Sequence, residues 1–192
     1  MATGLELLLR SPDPTRLFLT TDHPNGAPFT AYPQVIEWLM SRPARQEILK
    51  RSHPAGTHKC GLAGIEREYS LGEVFAMTSW GPARALGLTD RGHLNPGSLA
   101  DLRCYRKQAD LRGMFSRPAW VMRRGRVIVK DGQLASPAEG GLLVVRPAWD
   151  DGRRPHIQAA LANLVSVPVE DYALGATSLA RVEEVACTSR MS

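Results

Sequence analysis

One short stretch of this chain groups residue types able to do chemistry. It is Asp22-His23-Pro24-Asn25-Gly26, which directly follows the apolar run Arg16-Leu17-Phe18-Leu19-Thr20-Thr21. A carboxylate at the mouth of a buried strand sits where low dielectric tunes its proton affinity. Amide hydrolysis needs a base to take a proton from the attacking water and an acid to return one to the leaving nitrogen, and a single carboxylate can serve both in turn. Asp22 is the candidate for that proton shuttle. His23 and Asn25 are candidates to orient a substrate carbonyl or an activated water. The same residues also suit an ordinary loop, in which Asp22 caps its turn by bonding the backbone near Asn25. The local pattern leaves both readings open.

Other groupings carry less. His53, His58 and Cys60 are a zinc-compatible set of residue types, but their spacing matches no standard structural zinc motif and offers no fourth ligand, so surface-loop roles are expected. The basic cluster from Arg117 to Arg126 is expected to be a solvated hairpin rather than an anion site. No Gly-rich phosphate loop, Gly-x-Ser-x-Gly elbow or Cys-x-x-Cys pair occurs, which removes support for those enzyme classes.

The elements around the turn follow from periodicity. Gly4 to Arg10 reads as a helix end, with Leu5, Leu8 and Leu9 at helical spacing before Ser11-Pro12-Asp13-Pro14. Arg16 to Thr21 reads as a strand buried on both faces of a parallel sheet, which puts Asp22 at a strand's carboxyl end, where α/β enzymes hold their chemistry. From Tyr32-Pro33 a helix presents Val35, Ile36, Leu39 and Met40 on one face, and Pro43 restarts or kinks it before Ile48 and Leu49. Ser52 to Tyr69 reads as a long loop. Ser70-Leu71-Gly72-Glu73 has the capping-box form and opens a helix through Met77, followed by a second short helix at Pro82 to Leu86 that stops at Gly87.

Beyond Leu88 the texture changes to short antiparallel β-runs: Leu99 to Tyr105, Ala119 to Arg123, Arg126 to Lys130 and Leu142 to Arg146. Gly125 and Asp131-Gly132 mark the reversals. His156 to Leu164 is a candidate helix, and the final dozen residues are expected to lack fixed structure.

Hydrophobic residues make up 43% of the 192 and charged residues 22%, as in globular domains. No apolar run approaches the roughly 20 residues that span a bilayer, so no membrane association is expected. With no signal-type start, the default location is cytoplasmic. The three widely spaced cysteines, Cys60, Cys104 and Cys187, are expected to be reduced thiols. A net charge of +5 admits an anionic partner, but the basic residues are scattered without an aromatic RNA motif, and no nucleic-acid partner is expected.

Taken together, Thr20-Thr21-Asp22-His23-Pro24-Asn25-Gly26 and Ser79-Trp80-Gly81-Pro82-Ala83-Arg84-Ala85-Leu86-Gly87-Leu88 resemble the amidohydrolase superfamily. Arg91-Gly92-His93-Leu94-Asn95-Pro96-Gly97-Ser98-Leu99-Ala100-Asp101-Leu102 resembles the passage by which such enzymes run from barrel to flanking β-sandwich. With Gly4-Leu5-Glu6, Ala27-Pro28-Phe29 and Tyr32-Pro33 through Trp38-Leu39-Met40-Ser41, the pattern over residues 4 to 148 is similar to the A-type subunits of formylmethanofuran dehydrogenases and bacterial formyltransferase/hydrolase complexes.

That resemblance implies a TIM-like barrel with a binuclear zinc site that interconverts a formyl amide on a methanofuran-type carrier with formate. In that family a His-x-His pair, a carboxylated lysine and two further histidines hold the metals, and an aspartate after the last strand is the acid/base. Asp22 matches that aspartate. It is the one member of the set found here and the one residue of the chain that the resemblance would put near a metal; no His-x-His occurs in these residues.

The fold class expected is therefore α/β, the C-terminal portion of such a barrel (residues 1–98), then β-sandwich strands (99–148) and a C-terminal tail (149–192). The expected partners are a missing N-terminal barrel portion, the other subunits of such a complex and the formyl carrier. The chain reads as a truncated, split or partial gene product, inactive alone, with apolar surface exposed on Leu17 to Leu19 and on the Val35 to Met40 helix. The alternative is a non-catalytic scaffold or subunit-binding module.

Overall fold

The computed structural model describes residues 2–137, 141–145, 150–164 and 182–185, and contacts divide the chain into two compact units, Met1–Ala138 and Glu139–Ser192. In the first unit the amphipathic helix α1 (Ala2–Arg10) buries Leu5 and Leu9. Its C-terminal carbonyls are satisfied from far along the chain: the Arg67 guanidinium donates to Leu9 O at 3.0 Å and to Ser11 O, and the Tyr69 hydroxyl donates to Leu8 O. These bonds replace a glycine cap and tie α1 to the 65–70 segment.

The prolines start helices as expected. α2 (Tyr32–Met40) and α3 (Arg42–Arg51) each carry Pro near the first turn, and Ser41 caps α3 through its side chain at Ala44 N. α2 is the centre of the core, with Val35, Ile36, Trp38 and Leu39 buried against Leu5, Leu9, Leu62 and Val74. The expectation of an exposed apolar face on this helix is therefore corrected: this chain covers it with its own residues.

The 52–69 loop is tied down by a one-turn helix α4 (Pro54–Thr57), a 3-10 turn at Leu62–Gly64 and an internal arginine. Arg45 is 1% exposed and donates to Trp38 O at 2.7 Å, Leu39 O at 3.3 Å, Ile65 O at 3.3 Å and Arg67 O at 2.7 Å. It thus fastens the end of α2 to the segment that caps α1.

Ser70 and Glu73 form the reciprocal capping box that opens α5 (Leu71–Phe75). The expected break before the next helix is absent. The chain passes through a wider π-type turn at Ala76–Trp80 directly into α6 (Gly81–Ala85), with Gly81 N–H bonded to Ala76 O. Pro82 lacks an N–H and its ring crowds the carbonyl four residues back, and a widened turn accommodates both. A Cβ on Gly81 would lie 2.5 Å from Thr15 O, so the 14–16 turn reaches this helix only because residue 81 is glycine. α6 ends in paired bonds, Leu88 N to Ala83 O at 2.8 Å and Gly87 N to Arg84 O at 3.1 Å, with Gly87 at φ 70°.

A four-stranded antiparallel sheet follows in the order β1 (Leu102–Cys104), β2 (Trp120–Arg123), β3 (Arg126–Lys130), β4 (Gln133–Leu134), with α7 (Leu111–Ser116) inserted after β1 and packed on α2. Both expected reversals are present, at Arg124-Gly125 and Asp131-Gly132, all four residues at positive φ as a two-residue hairpin requires.

In the second unit β5 (Leu142–Val145) pairs in parallel, not antiparallel as expected, with β6 (Val182–Val185) after α8 (Arg154–Leu164). A long connection between the strands permits the parallel pairing. Apart from β6, the final dozen residues lie outside the described residues, as does Cys187.

The largest correction concerns Arg16 to Thr21, which forms no strand. Pro14–Arg16 makes a 3-10 turn, and Leu17 to Thr21 runs on without sheet partners, although Leu17 is extended at φ −119°, ψ 143°. Leu19 packs on the core and Thr21 is buried, while Phe18 is 47% exposed. A buried parallel strand needs neighbours on both sides, and none of the described residues supplies one. Of the barrel portion expected over residues 1–98, the last strand is not formed among the described residues.

Candidate active-site turn

Asp22, His23 and Asn25 lie in one exposed turn that begins immediately after buried Thr21. The turn closes through Gly26 N–H donating to Asp22 O at 2.7 Å, and Asp22 N–H donates to Thr20 Oγ1 at 3.1 Å. The peptide bond between His23 and Pro24 is cis. The His23 ring stacks on Phe29 with centroids 4.1 Å apart and planes at 24°, which fixes the imidazole's direction without using either nitrogen.

Asp22 has φ 51°, in the left-handed region that costs most residues about 1 kcal/mol and that aspartate tolerates better than most. Its carboxylate is bonded to nothing among the described residues. The capping reading of Asp22 fails here on that point: the Gly26 N–H is bonded to its backbone carbonyl, not to its side chain. Elsewhere in this chain aspartates do cap. Asp13 Oδ1 accepts from Thr15 N at 2.9 Å, Asp110 Oδ1 from Gly113 N at 2.9 Å and Asp150 Oδ1 from Gly152 N at 3.0 Å. Neither Asp22 oxygen caps a backbone N–H among the described residues.

Two neighbours of the turn have no sequence signal of their own. Thr21 is 4% exposed and its Oγ1 is buried without a partner among the described residues. Gly26, by sequence a turn former only, sits so close to the Thr21 carbonyl that a side chain there has no room. A Gly after Asn signals a turn; the close approach is visible only in three dimensions.

The groups with shifted proton affinity are structural. Backbone donation from Ser70 and the Arg67 guanidinium hold the Glu73 carboxyl below its usual range. Hydrogen bonds from Thr15 lower Asp13, and those from Arg91 lower Asp90. Burial lowers Arg45 and raises Tyr69.

The histidine and cysteine set of the 53–60 loop is spent locally. His53 Nδ1 accepts from Ala55 N at 3.2 Å, His58 Nδ1 lies 3.0 Å from Pro54 O, and Cys60 Sγ donates to Thr57 O at 3.3 Å. Among the described residues no three His, Cys, Asp or Glu side chains converge to hold a metal ion. No helix among them is long and apolar enough to cross a membrane.

Residues 5–135 of this chain match the amidohydrolase family. The chain belongs to the amidohydrolase family.

It is 38% identical over 190 residues to the A-type subunit of the formyltransferase/hydrolase complex Fhc of Methylorubrum extorquens, covering 97% of this chain and 35% of that protein. It is 36% identical over 152 residues to protein FwdA of Methanocaldococcus jannaschii, covering 75% of this chain and 27% of that protein. The crystal structure of the formyltransferase/hydrolase complex FhcABCD from Methylorubrum extorquens with methylofuran is matched at a TM-score of 0.80 and 38% identity, again over 97% of this chain and 35% of that one. The chain spans about a third of the length of the curated relatives it matches.

Proposed function

We propose that this chain supplies the C-terminal portion of an amidohydrolase-type subunit in one-carbon metabolism, one that cleaves or forms the formyl amide of a methanofuran-type carrier. The observation that carries this reading is the 38% identity that runs along 97% of the chain, to a component of a complex solved with methylofuran. Asp22 is its acid/base. In the hydrolytic direction its carboxylate takes a proton as water adds to the formyl carbon, then gives that proton to the amine nitrogen as the C–N bond breaks, leaving formate and free amine. The reverse sequence forms the amide. Stacked His23 and solvent-facing Asn25 orient the formyl oxygen and the incoming water.

The binuclear zinc site that the resemblance implies does not fit the described residues, which bring no three metal-binding side chains together. On this reading the metal-holding residues, and the strands that flank Leu17 to Thr21, come from the part of the longer relatives that this chain does not match. These residues alone therefore turn over no substrate.

The test is complementation. The chain is mixed with the N-terminal portion of the Methylorubrum relative that it does not match, and formate release from the formylated carrier is assayed. Formate from the mixture and from neither part alone is the expected result. Association without formate release would favour a non-catalytic subunit-binding module instead.

A further inference from the structure

We propose that Gly26 is a positioning residue for Asp22, kept without a side chain so that the carboxylate stays aimed. This rests on the reading of Asp22 as the acid/base. Gly26 has no positive φ, so conformational freedom is not what glycine provides at this position. Space is. A Cβ on residue 26 would lie 2.5 Å from Thr21 O and 3.0 Å from Asp22 Cβ. The first obstacle is backbone and the second is the root of the Asp22 side chain, so no flexible side-chain end is there to swing away.

The two obstacles differ in how far they can yield. Thr21 is buried, and Leu19 before it is packed on the core, so its carbonyl is held from behind. Asp22 is exposed, at φ 51°, with no hydrogen bond to its carboxylate among the described residues. An added methyl group therefore moves Asp22. A normal carbon contact needs about 3.5 Å, so a shift on the order of 0.5–1 Å follows. Misplacement of a catalytic group by about 1 Å costs up to roughly 100-fold in rate.

The experiment compares Gly26→Ala, Asp22→Asn and the double variant in the active assembly of this chain with its complementary portion. Gly4→Ala is the control, since nothing lies within 4 Å of a Cβ there. Gly26→Ala is expected to lower kcat by about 10- to 100-fold while KM stays within about twofold, as for loss of transition-state positioning. The double variant is expected to be no slower than Asp22→Asn, because the two residues act through one group.

The same substitution is also read in the chain itself by carbon-13 NMR. It should move the Asp22 carboxyl and Thr21 carbonyl resonances and leave those of Asp110 in place, with the far-UV circular dichroism unchanged. Wild-type kcat in Gly26→Ala, a further loss on top of Asp22→Asn, or an unmoved Asp22 resonance would overturn the proposal. If Asp22→Asn itself keeps wild-type activity, the acid/base assignment fails instead, which separates the two failures.

Discussion

Replacing Arg45 by methionine tests what holds the scaffold behind the Asp22 turn. Methionine keeps the apolar stem, ends short of the guanidinium and removes every donor. Four carbonyls lose a bond, those of Trp38, Leu39, Ile65 and Arg67, but Leu39 O retains the Tyr69 N–H at 2.8 Å. Three acceptors are left short, at about 1–3 kcal/mol each when no water replaces the donor. Two effects act the other way. Methionine removes a guanidinium whose burial already lowers its proton affinity, and it removes an Nε that is buried without a partner.

Water can also reach the part-buried Ile65 and Arg67 carbonyls, so the net loss expected is about 2–4 kcal/mol. A domain of ordinary stability has about 5–15 kcal/mol, so this is a large fraction. Urea unfolding followed by far-UV circular dichroism should show the midpoint falling by about 1–2 M. A midpoint within about 0.3 M of wild type would refute the view that this arginine is a structural clamp.

Two further perturbations test the same framework. Ser70→Ala removes half of the capping box and should cost about 1 kcal/mol, read as a lower urea midpoint with the same slope. The Glu73 carboxyl is held below its usual range, so its stabilisation is present above the ordinary glutamate value and is lost as pH falls through the depressed one. Unfolding measured across a pH series should therefore show Glu73→Gln less stable than wild type at neutral pH, with the two converging in acid.

Some signals in the sequence are legible because their chemistry is local. The Ser70–Glu73 reciprocal bonds, the prolines opening α2 and α3, the Gly87 stop and the Asp131-Gly132 reversal depend on residues a few positions apart, and the structure has each of them. What depends on distant partners is not legible. The apolar texture of Arg16 to Thr21 suits a strand, but a strand exists only through its neighbours, and the described residues provide none. Arg45 has the composition of a surface residue, and only the meeting of α2 with the 65–67 segment makes it the clamp.

The continuous helix through Ala76–Trp80 looks like two in the sequence because Pro82 normally interrupts an α-helix, and a π-type turn absorbs the defect. At the candidate site the sequence locates Asp22, His23 and Asn25 in a single turn. It leaves open whether Asp22 caps that turn, and the bond from Gly26 N–H to the Asp22 backbone carbonyl rather than to its side chain answers this. Sequence has no means of showing Thr21 buried beneath the turn or Gly26 pressed against its carbonyl.

The most direct measurement is kcat for formate release by the assembled enzyme carrying Asp22→Asn, at saturating formylated carrier. Loss of a proton shuttle should lower kcat by about 10²- to 10⁴-fold with KM little changed. A kcat within about threefold of wild type would contradict the assignment of Asp22 as acid and base.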